Sequence, residues 1–490
     1  MNTFKKKALL SAVAAGLGVA GNAEAVFLNP NGLGQTLIYP YYTVQNNGTN
    51  SFNTYLSIVN TTADAKVLKV RIREGRNSQE VLDFNLYLSP NDMWTAAIVP
   101  IDATDASAGR IITADRSCTN PGIPATGQDF RNFAFSGASD DGAGTTLART
   151  REGYVEVFEM AILTGTSATN VTHNANGTPA NCAAVQGQAV ILSMGLPTGG
   201  LTGTGTLINV NSGADAGYNV DALAQFLSSI NYSDVPTENP NLGDADPASF
   251  SIANGTAHFD VWTPISGTTA GARAVSAVYM HTAVLNEYIL DTATLSNTDW
   301  VLTFPTKSLF VDATTAALPF SNAFTATGAC ELVAVSFLNR EERGASVVPG
   351  DFSPPQPAGP ANAVCWESTV VSFRNGNAHT PGASATASGV LGSRNFTGVT
   401  LDSSFQNGWA ALTFTGAGAG TGLISAAGGT SMLTRTGAAG SAGAHTYYGL
   451  PVTGFMVRTF NNNTVACGTA TCQANYGSLF RHNYRTAILP

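Results

Sequence analysis

Short stretches in which apolar and polar residues alternate dominate the chain. FNTYLSIVN at 52–60, KVLKVRIRE at 66–74, EVLDFNLYLSP at 80–90 and MWTAAIVP at 93–100 are rich in β-branched and aromatic residues, and the breaks between them (NTTAD, GRNSQ, PND) carry turn-forming residues. In KVLKVRIRE, Val67, Val70 and Ile72 stand against Lys69, Arg71 and Arg73, as in a strand with one buried and one wet face. Similar runs recur at 257–265, 272–290, 298–311, 330–341 and 367–373. This spacing predicts a mainly β protein built as two tandem β-sandwich domains of immunoglobulin-like type, with long Gly- and Pro-rich loops.

One window breaks the alternation. In NVDALAQFLSSI at 219–230, Leu223, Phe226, Leu227 and Ile230 fall at helical spacing with Asn219 or Asp221 as cap, which predicts one short helix. The Asn-, Asp- and Pro-rich run 231–249 then opens an interdomain linker. The expected organisation is a signal peptide at 1–25, a first domain at 26–230, a linker at 231–256 and a second domain at 257–490. Two further stretches are biased in composition. The Pro-rich 347–365 lies between two cysteines and predicts a pinned loop, and the Gly/Ala-rich 416–445 predicts a long excursion.

The two halves share an order of features. REGYVEVFEM at 151–160 and QNGWAALTF at 406–414 each place an aromatic after a glycine, Gly153–Tyr154 and Gly408–Trp409. Leu196-Pro197 follows the first and Leu450-Pro451 the second at nearly equal distance. Upstream, MWTAAIVP with Cys118 parallels DWVLTFP with Cys330, which together predict a diverged duplication.

The N-terminus adds a compartment. Lys5, Lys6 and Lys7 precede an apolar stretch and then Ala23-Glu24-Ala25, the order of a secretory signal, and its core is shorter than the roughly 20 residues of a membrane span. No later run is apolar over such a length, so no transmembrane span is expected in the mature chain. The expected location is outside the cytoplasm: periplasm, outer surface or medium. Charged residues make up 11% of the chain, well under the roughly 25% of ordinary soluble domains, and the net charge of −9 lacks the Lys/Arg clusters that a nucleic-acid partner requires.

Six cysteines then read as disulfides, for which fifteen pairings exist in principle. Proximity favours Cys118 with Cys182, Cys330 with Cys365 and Cys467 with Cys472.

Candidate chemistry is sparse. Glu152 and Glu156 on one strand would share a face about 13 Å apart, too far for a glycosidase pair, and Glu159 would point the other way. The chain has neither GxSxG nor HExxH, and its six histidines are scattered in sequence, so no catalytic residue is assigned and an enzyme is not the expected class. Asp234, Glu238, Asp244 and Asp246 share one loop, and Asp140 and Asp141 another. Calcium is the cofactor that such oxygen-rich loops would take. Trp262, Trp300 and Trp409 are candidate stacking platforms for a carbohydrate.

REGYVEVFEM, NTDWVLTFPTK and LPVTGFMVRTFNN, with VFLNPNGLGQTLIYPYYT at the mature start, resemble a group of uncharacterised exported proteins of Gram-negative bacteria. The resemblance implies export and a bacterial source, and brings no activity and no functional residues. The expected role is a secreted or cell-surface structural or adhesive protein, whose partners are other copies of itself or surface components. The alternative class is a carbohydrate-binding or polysaccharide-active protein.

Overall fold

The computed structural model describes residues 24–489, apart from 105, 138–139, 188–191, 347–362, 383–384, 416–422, 425–429, 434–443, 463–464 and 473. The signal segment up to residue 23 and most of the Pro-rich and Gly/Ala-rich loops lie outside the described residues. What is described is mainly β, with several sheets and two short α-helices, α1 (Gly165–Val171) and α2 (Ala270–Tyr279).

Ten strands form the frame of the N-terminal half: β1 (Thr36–Thr43), β2 (Phe52–Asn60), β3 (Ala65–Glu74), β4 (Glu80–Leu88), β5 (Met93–Pro100), β6 (Gly109–Ile112), β7 (Glu152–Leu163), β8 (Leu201–Asn209), β9 (Ala214–Asn219) and β10 (Asp221–Ala224). They make sheet A, in the order β10-β1-β7-β3-β4, and sheet B, in the order β9-β8-β2-β5-β6, each extended by short flanking strands.

The C-terminal half repeats the plan with β11 (Ala283–Ile289), β12 (Asn297–Thr303), β13 (Glu331–Asn339), β14 (Gly344–Ser346), β15 (Ser368–Arg374), β16 (Phe396–Thr400), β17 (Asn407–Phe414), β18 (Thr453–Phe460), β19 (Tyr476–Arg481) and β20 (Asn483–Arg485). Its sheet A′ runs β20-β11-β17-β13-β14 and its sheet B′ runs β19-β18-β12-β15-β16. Each strand of the first half therefore has its counterpart ten numbers later, in the same place of the same kind of sheet. One pairing differs: β15–β16 is parallel, whereas β5–β6 is antiparallel.

This topology upholds two of the sequence correspondences and corrects one. Gly153 of β7 and Gly408 of β17 occupy the same place for the same reason, because a Cβ at either would lie 1.9 Å from a neighbouring carbonyl, that of Arg73 or of Leu338. The strands after the two Leu-Pro dipeptides, β8 and β18, are also counterparts. The tryptophan strands are not: MWTAAIVP is β5, whose counterpart is STVVSFR, and DWVLTFP supplies β12, whose counterpart is FNTYLSIVN.

The inner faces of A and B supply one hydrophobic cluster, with Tyr39, Val70, Ile72, Val155 and Val157 from A and Leu56, Ile58, Trp94 and Ile98 from B. In the second half Val284, Val335 and Leu412 of A′ meet Trp300, Leu302 and Val371 of B′. Both clusters also draw residues from the other half.

The helix expected at 219–230 does not form. Residues 221–224 pair with β1 as β10, and Gln35 Oε1 accepts the backbone N–H of Leu227 at 3.0 Å, so tertiary pairing overrides the helical spacing. Leu223, Phe226 and Leu227 still reach one cluster. Conversely, the first part of the 272–290 strand run is α2. Thr269 caps it by accepting from Ala272 N–H at 3.1 Å, its four alanines favour helix, and Gly271 lets it press on the backbone of Gly243 and Ala245. Segment 231–256 has structure of its own, a 3₁₀ turn at Leu242–Asp244 and a strand at Ala248–Ala253, and Leu242 and Phe250 are buried.

Candidate functional site

All three disulfides join the cysteines that are near in sequence: Cys118–Cys182, Cys330–Cys365 and Cys467–Cys472.

The outer face of sheet A carries most of the unusual chemistry of the first half. Register places Asp221, Ile38, Glu156, Arg71 and Asp83 in one row across it, with Tyr154 beside Arg73 in the next. These charges are buried and paired. Arg73 Nε donates to Glu156 at 2.7 Å, Arg71 lies 2.8 Å from Glu80, and Lys69 lies 3.4 Å from Asp83. Glu159 is held by Lys66 at 2.5 Å and by the N–H groups of Thr198 and Gly199, and Glu152 accepts from Tyr41, Ser393 and the N–H of Arg394. The glutamates of REGYVEVFEM are thus structural acceptors in three separate places. Segment 231–256 lies over this face, where the carbonyls of Thr237 and Pro240 accept from Arg71.

Beside it opens a polar cleft of about 400 Å³, lined among others by Arg73, Ser78, Glu80, Asp141, Glu238 and Asp312. It brings together residues of the two acidic loops, Glu238 from one and Asp140 and Asp141 from the other. Burial, reinforced by Asp83, pushes Glu80 up to about 6 against the pull of Arg71 and Arg73. Asp141 is occupied by Arg149 at 2.5 Å. Ser78 accepts from Tyr154 and donates to Glu367, which burial pushes up to about 8. The other members of the calcium set go elsewhere. Asp244 caps its own turn through Asn241 N–H, and Asp234 accepts from Tyr232. Among the described residues no three His, Cys, Asp or Glu side chains group as metal ligands.

A second cluster joins residues remote in sequence. Asp260 accepts from Tyr447 at 2.5 Å and pairs with His445 at 2.9 Å, and the ring of His258 meets that of His445 at 4.9 Å. Burial and the neighbouring His445 push His258 down to about 4. No sequence spacing announces this contact, because the partners lie 185 or more positions apart.

The tryptophans divide. Trp262 and Trp300 are core residues whose indole N–H groups donate to Ser249 and to the Glu287 carbonyl, which removes them from any external ligand. Trp409 is 40% exposed. It stands on the outer face of A′, in a row with Leu338 and Glu287, and the next row reads Ser336, Ala411, Leu285 and Asn483. Counting from the shared glycine, Trp409 holds the place of Tyr154 and Ala411 that of Glu156. Leu285, Ser336 and Asn483 then hold the places of Ile38, Arg71 and Asp221. Where sheet A has a charged outer face that is buried, A′ has one whose central row is uncharged and that is open at Trp409, with Glu287 and Arg485 in the rows on either side. Leu332 and Ser336 are exposed on it, and the Arg458–Glu287 pair, 2.9 Å apart, lies at its margin. Sheet B is open in the same way, through Tyr55, Met93 and Ile112.

The chain matches no family model, no curated protein and no solved structure. No helix among the described residues is long and apolar enough to cross a membrane.

Proposed function

We propose that this protein is an exported structural or adhesive component of the bacterial cell surface. The observation that carries the reading is the open face of A′, where Trp409 and Leu332 are exposed and Leu338 is half-buried, while the charged counterpart face in the first half is covered. An exposed apolar sheet face rimmed by polar groups is a surface made for contact. The leader-like N-terminus, the three disulfides and the resemblance to exported Gram-negative proteins support the compartment. We take each half as a β-sandwich, the architecture of immunoglobulin-like surface modules, an analogy that bears on fold alone. Each charged group of REGYVEVFEM has a partner that holds it in place, which favours a frame over a catalyst. Fractionation of cells with electron microscopy of the purified chain tests this. Recovery at the surface or in pelletable assemblies is expected, and lone monomers without surface association would sink it.

A second reading rests on Trp409. A flat indole beside Glu287, whose carboxylate pairs with Arg458, suits the apolar face and hydroxyl rim of a sugar ring. A glycan array read beside Trp409→Ala tests it, and binding that survives the substitution would remove Trp409 from the site.

A further inference from the structure

The two halves meet through unlike faces. Thr303 Oγ1 of B′ donates to the Pro40 carbonyl of sheet A at 2.6 Å, Asp221 of A accepts from Thr453 and pairs with Arg481 of B′, and the Tyr154 hydroxyl reaches the carbonyl of Pro305, just beyond β12. The outer face of B′ is buried in consequence. Val301, Val370 and Phe455 belong to the same cluster as Tyr41 and Tyr218 of the first half, and Phe455 stacks on Tyr218 with ring centroids 5.0 Å apart. At Pro40, Asp221 and Tyr154 the junction therefore sets a B-type sheet and the turn that follows its strand β12 on an A-type sheet, and at Tyr218 it sets the same B-type sheet on the edge strand β9 of sheet B.

Among the described residues two faces of the same two types stay open: A′ in the second half, at Trp409 and Leu332, and B in the first, at Tyr55 and Ile112. Their residues fit the pattern of the junction already made. On A′, Asn483 holds the place of Asp221. On B, β8 turns Thr202, Thr204 and Thr206 outward where its counterpart β18 offers Thr453. Beside those threonines one row reads Thr206, Tyr55, Ala97 and Ile112, as free of charge as the central row of A′. A contact between unlike faces leaves one of each kind unused at every step, and builds a ring where the rotation closes and an open chain where it does not.

We propose that the open A′ face of one molecule packs on the open B face of a second copy, continuing between molecules the junction made within one, so that the protein assembles head to tail. This deepens the surface-assembly reading and rests on it. The full mature chain is compared with Trp409→Arg, which spoils the A′ face, and Tyr55→Arg, which spoils the B face. Both residues are solvent-facing, at 40% and 38% exposure, and unchanged thermal unfolding confirms intact folds. In sedimentation velocity the wild type is expected to grow with concentration, and each variant alone to stay monomeric. Mixed, the two are expected to form a one-to-one complex that grows no further, because each supplies the face the other lacks. Growth that persists in either variant alone, or a mixture that stays monomeric, overturns the proposal. So does a wild type that remains monomeric while binding a glycan through Trp409, which gives the face to a sugar. A monomer still found on the cell surface would overturn the head-to-tail contact and leave the surface role standing.

Discussion

Tyr154 and Trp409 occupy one position in two copies of a fold, each an aromatic after a glycine that a neighbouring carbonyl crowds. Tyr154 is fully buried beneath the second half with its hydroxyl bonded to Ser78, whereas Trp409 is 40% exposed. Around Tyr154 the sheet carries Glu156, Arg71 and Asp83, around Trp409 Ala411, Ser336 and Leu338. Charge is buried where it has been given partners, and apolar surface is open where no part of the described chain covers it. Local sequence alone would assign the two faces the other way round.

The difference can be broken from both sides. Tyr154→Ala should cost about 3–5 kcal/mol, the scale of deleting a buried aromatic, while Trp409→Ala should stay near 1 kcal/mol or less in denaturant unfolding and act on association instead. Glu156→Ala should also cost about 3–5 kcal/mol, because it takes from buried Arg73 its hydrogen-bonded ion-pair partner, and Ser336→Arg in the counterpart row of the open face should change stability by about 0.5 kcal/mol at most. Equal costs within either pair would show that the two faces are alike in packing.

Cys118→Ser should lower stability by about 2–4 kcal/mol, since the bond to Cys182 closes a loop of sequence separation 64. Cys467→Ser should cost less, because that loop spans only 5.

A smaller effect is expected in the pH profile. Burial raises Glu367 to about 8 in the folded state, with Lys307 pulling it down and Glu74 pushing it up. Between the ordinary carboxylate range and pH 8 the folded chain holds a proton that the unfolded chain has released, so stability should fall as pH rises through that window. Glu367→Gln should flatten this slope in thermal unfolding scans, and an unchanged slope would assign it to other groups. His258, lowered to about 4, works with the opposite sign: its contribution is lost as pH falls from about 6.5 through 4.

Much of the frame could be read in advance. Alternation located β2, β3, β4 and β5, because strand pairing with one buried face imposes a period of two. Cysteine proximity gave the three bonds. The shared glycine was legible because its cause is local backbone crowding. What failed had non-local causes: Gln35 and β1 hold 221–224 as a strand, and α2 forms against the backbone of Gly243 and Ala245. The calcium set and the tryptophan trio were grouped by residue type; local hydrogen bonds engage Asp234 and Asp244, burial takes Trp262 and Trp300, and Glu238 stands in a cleft and Trp409 on an open face.

The sequence by itself determined the strand-rich class, the covalent staples and the likeness of the two glycine–aromatic strands, since each depends on neighbours within a few residues or on composition. Only the tertiary structure decided which of the two faces is covered. That choice depends on which segment lies across each sheet: 231–256 and the turn after β12 lie over the charged face, and among the described residues none is packed over Trp409 in the same way.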